Sequence, residues 1–416
     1  MKVLILGSGV VGVAAAYYLN RAGHEVEVVD RQPGAGLETS FANGGQISAS
    51  HAAPWASPEV PLLLLKWLGR YDAPLLYRLR IDPAQWAWSL RFLVNCLPSR
   101  SHANTAKNLA LGVYSRSLMS EIRADTGIKY DALTRGILQI YRHQADLDTG
   151  ARHAEWLTGL GCTVKPLSRE QCFEVEPALR DRGKDILGGT YAPDDESGDA
   201  QVFTHELARI ASARGVTFRY GVTIKSVMHD SGRISGVVTD QGVLTADAYV
   251  AALGSYTETM LKPIGVDPHI FPTKGYSVTV PTEGRNGAPT TSITDHDNRI
   301  VFSRLGDRMR VAGTAEFAGY DARLNEERAR VILELARRQF PNAGNFDQAK
   351  LWTGLRPLTP DCVCVLGATR YTNLYLDTGH GTLGWTLAAG SGKALADLIS
   401  GQKPEIDIAP YSVTRF

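Results

Sequence analysis

Little in this sequence points to a metal centre, a nucleic acid or a membrane span. The 416 residues hold five cysteines: Cys96, Cys162, Cys172, Cys362 and Cys364. No two of them form a CxxC pair, and the four-ligand spacing of a zinc site is absent. Cys362 and Cys364 read as two unrelated free thiols, and an odd count fits a reducing compartment. Neither sign of charge dominates, because 44 Lys and Arg stand against 43 Asp and Glu. That balance excludes a global basic field for nucleic acid. No run approaches ~18 apolar residues, so no segment reads as a transmembrane helix. The first apolar run ends in glycines without a small-residue cleavage site, unlike a signal peptide. The expected place is therefore the cytosol or the cytosolic face of a membrane. Repeats and low-complexity tracts are missing too. Apolar residues at 44% and charged residues at 21% are ordinary for a chain that folds around a large core.

What is plentiful is glycine, at 41 residues. Residues 2–6 read as a buried strand, 10–22 as a helix stopped by Gly23, and 25–30 as a second strand, which makes a β-α-β unit. Residues 31–60 form a long polar, glycine-rich loop, and 61–125 look helical. Further helices are predicted at 146–160, 200–214, 326–338 and 385–399. Strands are predicted near 136–141, 217–220, 223–229, 234–239, 243–246, 248–253, 276–280, 300–304, 309–312 and 373–377. This order predicts an α/β fold. A Rossmann-like dinucleotide domain is assembled from 1–60, 198–256 and 355–416, with a mostly antiparallel domain from 61–197 and 257–354 inserted between its pieces.

Four motifs carry chemistry. Gly7-Ser8-Gly9-Val10-Val11-Gly12 follows a strand and opens a helix. Gly7 permits the tight turn, Gly9 lets a pyrophosphate approach, and Gly12 lets helix and strand pack closely. The first helical N–H groups, at Val10 and Val11, face any anion there. Asp30 ends the second strand, where a carboxylate suits two ribose hydroxyls. The other reading is a glycine turn that serves packing alone, and the motif by itself does not separate NAD from FAD. The second motif, residues 38–46, reads either as a backbone anion nest or as a flexible surface loop. The third is Asp377-Thr378-Gly379-His380-Gly381-Thr382-Leu383-Gly384, again between strand and helix. Its His380 suits either acid–base work or a structural hydrogen bond. The fourth holds Arg356, which is biased to an extended backbone by Pro357. Its guanidinium suits either a carboxylate ligand or an ordinary ion pair.

KVLILGSGVVGVAAAYYL, ETSFANGGQIS, WTGLRPLTPD and TGHGTLGWT, in this order and at these separations, resemble the FAD-dependent D-amino-acid oxidase and glycine oxidase superfamily. Within it they resemble the dehydrogenase branch. Residues 51–56 and 274–277 extend the resemblance, which covers essentially the whole chain. It implies a Rossmann-like FAD-binding domain and non-covalent FAD. Gly7, Gly9, Val10, Val11 and Gly12 would meet the pyrophosphate, and Asp30 with Arg31 the adenosine ribose. Ser40, Asn43, Gly44, Gly45 and Gln46 would lie along the ribityl chain and ring. Ile224 would meet the adenine, and Gly254 would sit close to the cofactor. Gly379, His380, Gly381, Thr382 and Leu383 would line the pyrimidine side. Arg356 would grip the substrate carboxylate, with Tyr276 in the pocket wall. The glycine oxidase pattern has a further arginine where this chain has Gly381-Thr382.

The implied activity is oxidation of D-amino acids, D-alanine foremost, to 2-oxo acids and ammonia. Electrons would leave to a respiratory acceptor such as a quinone. Glycine or D-proline-type secondary amines are the rival substrates, and a non-catalytic flavin scaffold is the rival class. Residues 60–68 and 85–97, with Trp67, Trp86, Trp88, Lys66 and Arg91, read as helices that rest on a bilayer surface or roof the active site. The resemblance favours peripheral contact with the inner membrane.

Overall fold

The computed structural model describes residues 1–67, 70, 73–78 and 81–416; the Leu68 end of the expected surface helix lies outside them. Among the described residues, six strands form the first sheet. Their order is Val365–Ala368, Leu374–Thr378, Ala248–Ala251, Lys2–Leu6, Glu25–Asp30 and Thr217–Tyr220. All neighbours are parallel except the Val365–Ala368 pair. Parallel strands covered on both faces need apolar residues throughout, and Val3 to Leu6 are wholly buried accordingly. The sheet draws its strands from the start, middle and end of the chain, as the sequence order predicts.

The second sheet is mostly antiparallel. Its order runs Lys350–Leu358, Phe271–Pro281, Arg308–Phe317, Ile300–Leu305, Ser292–Asp295, Ile137–Tyr141, Gly188–Ala192 and Lys165–Ser168, with Leu75–Tyr77 added beside Arg308–Phe317. Five of these strands, at 75–77, 165–168, 188–192, 292–295 and 350–358, are not marked in the sequence pattern, and the first lies in the stretch expected to be helical. Gly188 and Gly189 blur one of them. Gly354 and Pro357 break the pattern of another, which tolerates proline because it is the sheet's edge. That edge strand also straddles the domain boundary expected between 354 and 355.

One long helix departs from the expected division. Pro98–Thr126 falls in the stretch assigned to the inserted domain. Instead its Leu111, Leu118, Met119 and Ile122 pack in one core with the helices Val10–Arg21 and Gly384–Ile399. It ends at Gly127, which takes the left-handed conformation at φ 64°. The expected surface tryptophans also divide. Trp86 is exposed, whereas Trp88 is buried and donates its indole N–H to the His269 and Leu358 carbonyls. All five cysteines are free and buried.

Candidate active site

Residues 39–46 join the two sheets. They cross five adjacent strands of the second sheet in the order in which those strands lie. Thr39 donates to the Leu355 carbonyl at 2.7 Å, and Ser277 donates to the Ala42 carbonyl at 2.6 Å. Arg310 donates to the Asn43 carbonyl at 3.0 Å and Ser303 to the Gly44 carbonyl at 2.7 Å. The Gln46 amide then reaches Ser292 and Thr294. This segment is therefore a pinned strap rather than a free surface loop. The bonds give the Ala42, Asn43 and Gly44 carbonyls side-chain partners in place of a strand ladder.

Between the strap, the first sheet and the second sheet lies a cavity of about 1730 Å³. Its size exceeds an ordinary small-molecule pocket of ~300–1000 Å³. Gly7, Gly9, Val10, Val11, Asp30, Arg31, Ser40, Asn43, Gly44, Gly45, Gln46, Ile224, Gly254, Tyr276, Arg356, His380, Gly381, Thr382 and Leu383 all line it. Two predicted residues do not. Gly12 is a packing residue: a Cβ there would stand 2.1 Å from the Gly7 carbonyl oxygen. Gly379 is likewise withdrawn, with Thr359 2.8 Å from where its Cβ would be.

The phosphate end fits an anion. Gly7 turns at φ 105°, and a Cβ on it would meet the Ala252 carbonyl at 2.5 Å. The helix that follows has no acidic residue in its first turn, and its N-cap Gly9 supplies no side chain. A buried helix N-terminus of this kind favours negative charge. A Cβ on Gly9 would meet nothing nearer than Ser40 Oγ at 3.6 Å, so the room above it belongs to the cavity. Asp30 is more committed than the sequence suggests. Its carboxylate accepts from Ser8 N, Ser8 Oγ and Gln32 N at 2.7, 2.8 and 2.8 Å. A carboxylate has about four acceptor positions, so Asp30 braces the glycine turn and offers a ribose one bond, not two. Arg31 pairs with Glu38 and lies over the Tyr256 ring at 4.2 Å.

At the other end stands Arg356. Its guanidinium lies over the Trp55 ring at 5.6 Å and donates to the Thr314 carbonyl at 3.1 Å. No carboxylate of the described residues pairs with it. Burial alone pushes it down to about 10. It has room only because residue 275 is glycine, since a Cβ there would stand 2.4 Å from Arg356 Cζ. An unpaired, desolvated, planar cation on a cavity wall suits a carboxylate ligand.

The two weaker candidates, Tyr276 and His380, both have internal partners. Tyr276 is in the wall, but its hydroxyl is committed to Glu316. His380 turns Nε2 inward, 3.2 Å from Ser391 Oγ and 3.3 Å from Asp377 Oδ1, which is the structural alternative. Sequence reasoning missed His51, which also lines the cavity; its setting depends on Asp195, distant in sequence. No group of three or more potential metal ligands occurs among the described residues, and no helix among them is long and apolar enough to cross a membrane.

Comparison with known proteins agrees with this geometry. The family model of the FAD dependent oxidoreductases (DAO) matches residues 2–398. A D-amino acid dehydrogenase of Paramagnetospirillum magneticum is 53% identical, over 100% of this chain and 99% of its own. One of Dechloromonas aromatica is 50% identical, over 97% and 98%. Among solved structures, the fold matches glycine oxidase from Geobacillus kaustophilus with a TM-score of 0.77 at 23% identity, covering 100% of this chain and 99% of that one. L-proline dehydrogenase from P. horikoshii matches with a TM-score of 0.78 at 18% identity, covering 100% and 97%. The glycine turn, the helix N-terminus whose Val10 N–H meets Ser40 Oγ at 3.1 Å, and the long cavity have the chemistry an FAD enzyme requires. The chain belongs to the DAO family of FAD-dependent oxidoreductases.

Proposed function

We propose that this enzyme oxidises D-amino acids, D-alanine among them, to 2-oxo acids and ammonia. Electrons then pass to a respiratory acceptor, a quinone by preference. The observation that carries the reading is Arg356, a partly buried cation with no carboxylate partner among the described residues, placed in the same cavity as the dinucleotide turn. The names of the relatives at 50% and 53% identity support the same substrate class.

In this reading Arg356 holds the α-carboxylate through two parallel N–H···O bonds. The extended edge strand and the Trp55 ring fix its direction. Bound FAD supplies the two-electron acceptor for the hydride on the substrate's Cα. The chain itself contributes orientation and exclusion of water. The substrate ammonium must lose a proton before it can lose hydride, so the rate should rise with pH. The resulting imine is hydrolysed by water.

The acceptor and the location go together. Leu62 and Leu65 on the helix Val60–Trp67, and Trp86, Leu90, Leu93 and Val94 on the helix Pro83–Asn95, are exposed. Leu65, Trp86 and Leu93 also line the cavity. An exposed apolar patch at a cavity mouth suits a lipophilic acceptor and a bilayer surface. We place the enzyme on the cytoplasmic face of the inner membrane on this basis.

The test is anaerobic bleaching of the flavin absorbance by D-alanine, with L-alanine, glycine and D-proline in parallel. Bleaching by D-alanine, faster at higher pH, is the expected result. Bleaching by glycine or D-proline alone would move the substrate to a secondary or achiral amine. Reoxidation by oxygen as fast as by a quinone analogue would refute the acceptor.

A further inference from the structure

The strand Arg308–Phe317 is irregular where it passes Arg356. Across from it Gly275 pairs with Ala315 and Tyr276 with Gly313, so Thr314 is an extra residue between the two pairs. A bulge whose first residue is left-handed is ordinarily built on glycine. Here that residue is threonine, at φ 51°. Seven residues other than glycine take a positive φ among the described residues. Thr314 is the one of them that is β-branched, and the one that lies within a strand. A β-branched side chain is poorly suited to that conformation, so the fold gives up some stability to hold it there.

The bulge sits on the cavity wall, where Thr314 is a lining residue beside Gly313 and Ala315. Its carbonyl accepts from Arg356 Nη1 at 3.1 Å. Any residue could offer that carbonyl, glycine included, so the carbonyl does not explain the threonine. The side chain has one polar atom, Oγ1, which is buried and has no hydrogen-bond partner; the residue as a whole is 9% exposed. A buried hydroxyl without a partner is destabilising. Threonine at this position is therefore unfavourable twice, in conformation and in desolvation, and no hydrogen bond of its hydroxyl within the protein offsets either.

The guanidinium beside it indicates what the hydroxyl would meet. A carboxylate held by two parallel N–H groups still has acceptor positions left, since it offers about four. Thr314 Oγ1 belongs to the residue that the guanidinium already grips, so its hydrogen is available to an oxygen of that carboxylate. The neighbouring side chains do not compete for the role. Gly275, Gly313 and Ala315 have no polar side-chain atom. The Tyr276 hydroxyl is committed to Glu316, and Thr353 Oγ1 donates to the Gly275 carbonyl at 2.9 Å. Of these residues, Thr314 alone has a donor to give.

We propose that Thr314 is a second anchor of the substrate carboxylate, its hydroxyl donating to an oxygen of the group that Arg356 holds. The proposal deepens the function proposed above and rests on Arg356 as the first anchor. The test compares the holoenzyme of Thr314→Val, which keeps the branched shape and removes the donor, with that of Thr314→Ser, which keeps the donor. Thr314→Val should weaken the Kd for D-alanine, read from the concentration dependence of anaerobic bleaching, by about tenfold or more. It should weaken propanoate, which is D-alanine without its ammonium, to the same degree, read from the perturbation of flavin absorbance. The melting temperature of the substrate-free variant should not fall, because Oγ1 has no partner to lose. Thr314→Ser should bind both ligands close to wild type, and Thr314→Ala serves if Thr314→Val does not fold. An unchanged Kd in the folded variant would overturn the anchor, and so would a Thr314→Ser that binds as weakly as Thr314→Val. Loss of D-alanine affinity with propanoate unaffected would also overturn it, by assigning the hydroxyl to the ammonium. Should Arg356→Met leave the Kd for D-alanine unchanged as well, the failure lies with the proposed function; should it weaken binding where Thr314→Val does not, the second anchor alone fails.

Discussion

Replacing Arg356 by methionine should separate what the residue costs the fold from what it gives the substrate. Burial lowers the guanidinium from its ordinary value to about 10, and one unit is about 1.36 kcal/mol between protonation states. Holding the charge therefore costs about 3 kcal/mol. The value is lowered in the folded state, so the unfolded chain carries the charge more easily. The penalty is full at pH 7 and is relieved only as pH rises through about 10. Arg356→Met, of similar length and apolar, should raise the melting temperature of the substrate-free holoenzyme by a few degrees at pH 7. The gain should shrink at about pH 10 and above.

Binding should move the opposite way. Loss of the charged partner of a buried carboxylate costs about 2–5 kcal/mol. That is about 30- to 4000-fold in Kd. Thermal melts with and without D-alanine, and the concentration dependence of anaerobic bleaching, read both effects on one preparation. A variant that melts lower at pH 7 while keeping its Kd for D-alanine would refute the carboxylate role and the unpaired cation together.

Asp377 offers a second test of stability against pH. It is fully buried, its oxygens lack well-directed hydrogen bonds, and burial raises its pKa. A raised folded value favours the protonated form, so its stabilisation is present below ~3.9 and lost as pH rises through the folded value. Asp377→Asn should therefore raise the melting temperature at pH 7 and leave it unchanged near pH 3; a fall at pH 7 would show that His380 compensates the charge. The glycine turn gives a contrasting pair. Gly9→Ala adds a methyl with only Ser40 nearby and keeps φ at −67°, so the fold should survive while FAD retention drops. Gly12→Ala drives a Cβ to 2.1 Å from the Gly7 oxygen and should lower thermal stability as well; equal melts for the two variants would contradict the division of roles.

The sequence by itself determined the local chemistry. Lys2–Leu6, Val10–Arg21 and Glu25–Asp30 were legible because a buried parallel strand, an apolar helix and a glycine turn each have a pattern within a few residues. Arg356 was legible as an extended cation before proline, and its role entered through family resemblance. The strands at 188–192 and 350–358 were not legible. Gly188, Gly189, Gly354 and Pro357 are permitted there by neighbours and by an edge position that no local pattern shows.

Tertiary structure decided the rest. It assigned the helix Pro98–Thr126 to the first core, buried Trp88, and spent His380 and the Tyr276 hydroxyl on internal partners. It also turned 39–46 from a glycine-rich loop into a strap by bringing five strands to it in order. His51 shows the reason most directly. Its neighbour Ser48 donates to Asp195, 144 residues from His51 in sequence, and a hydrogen bond between distant residues exists only once the chain has closed around it.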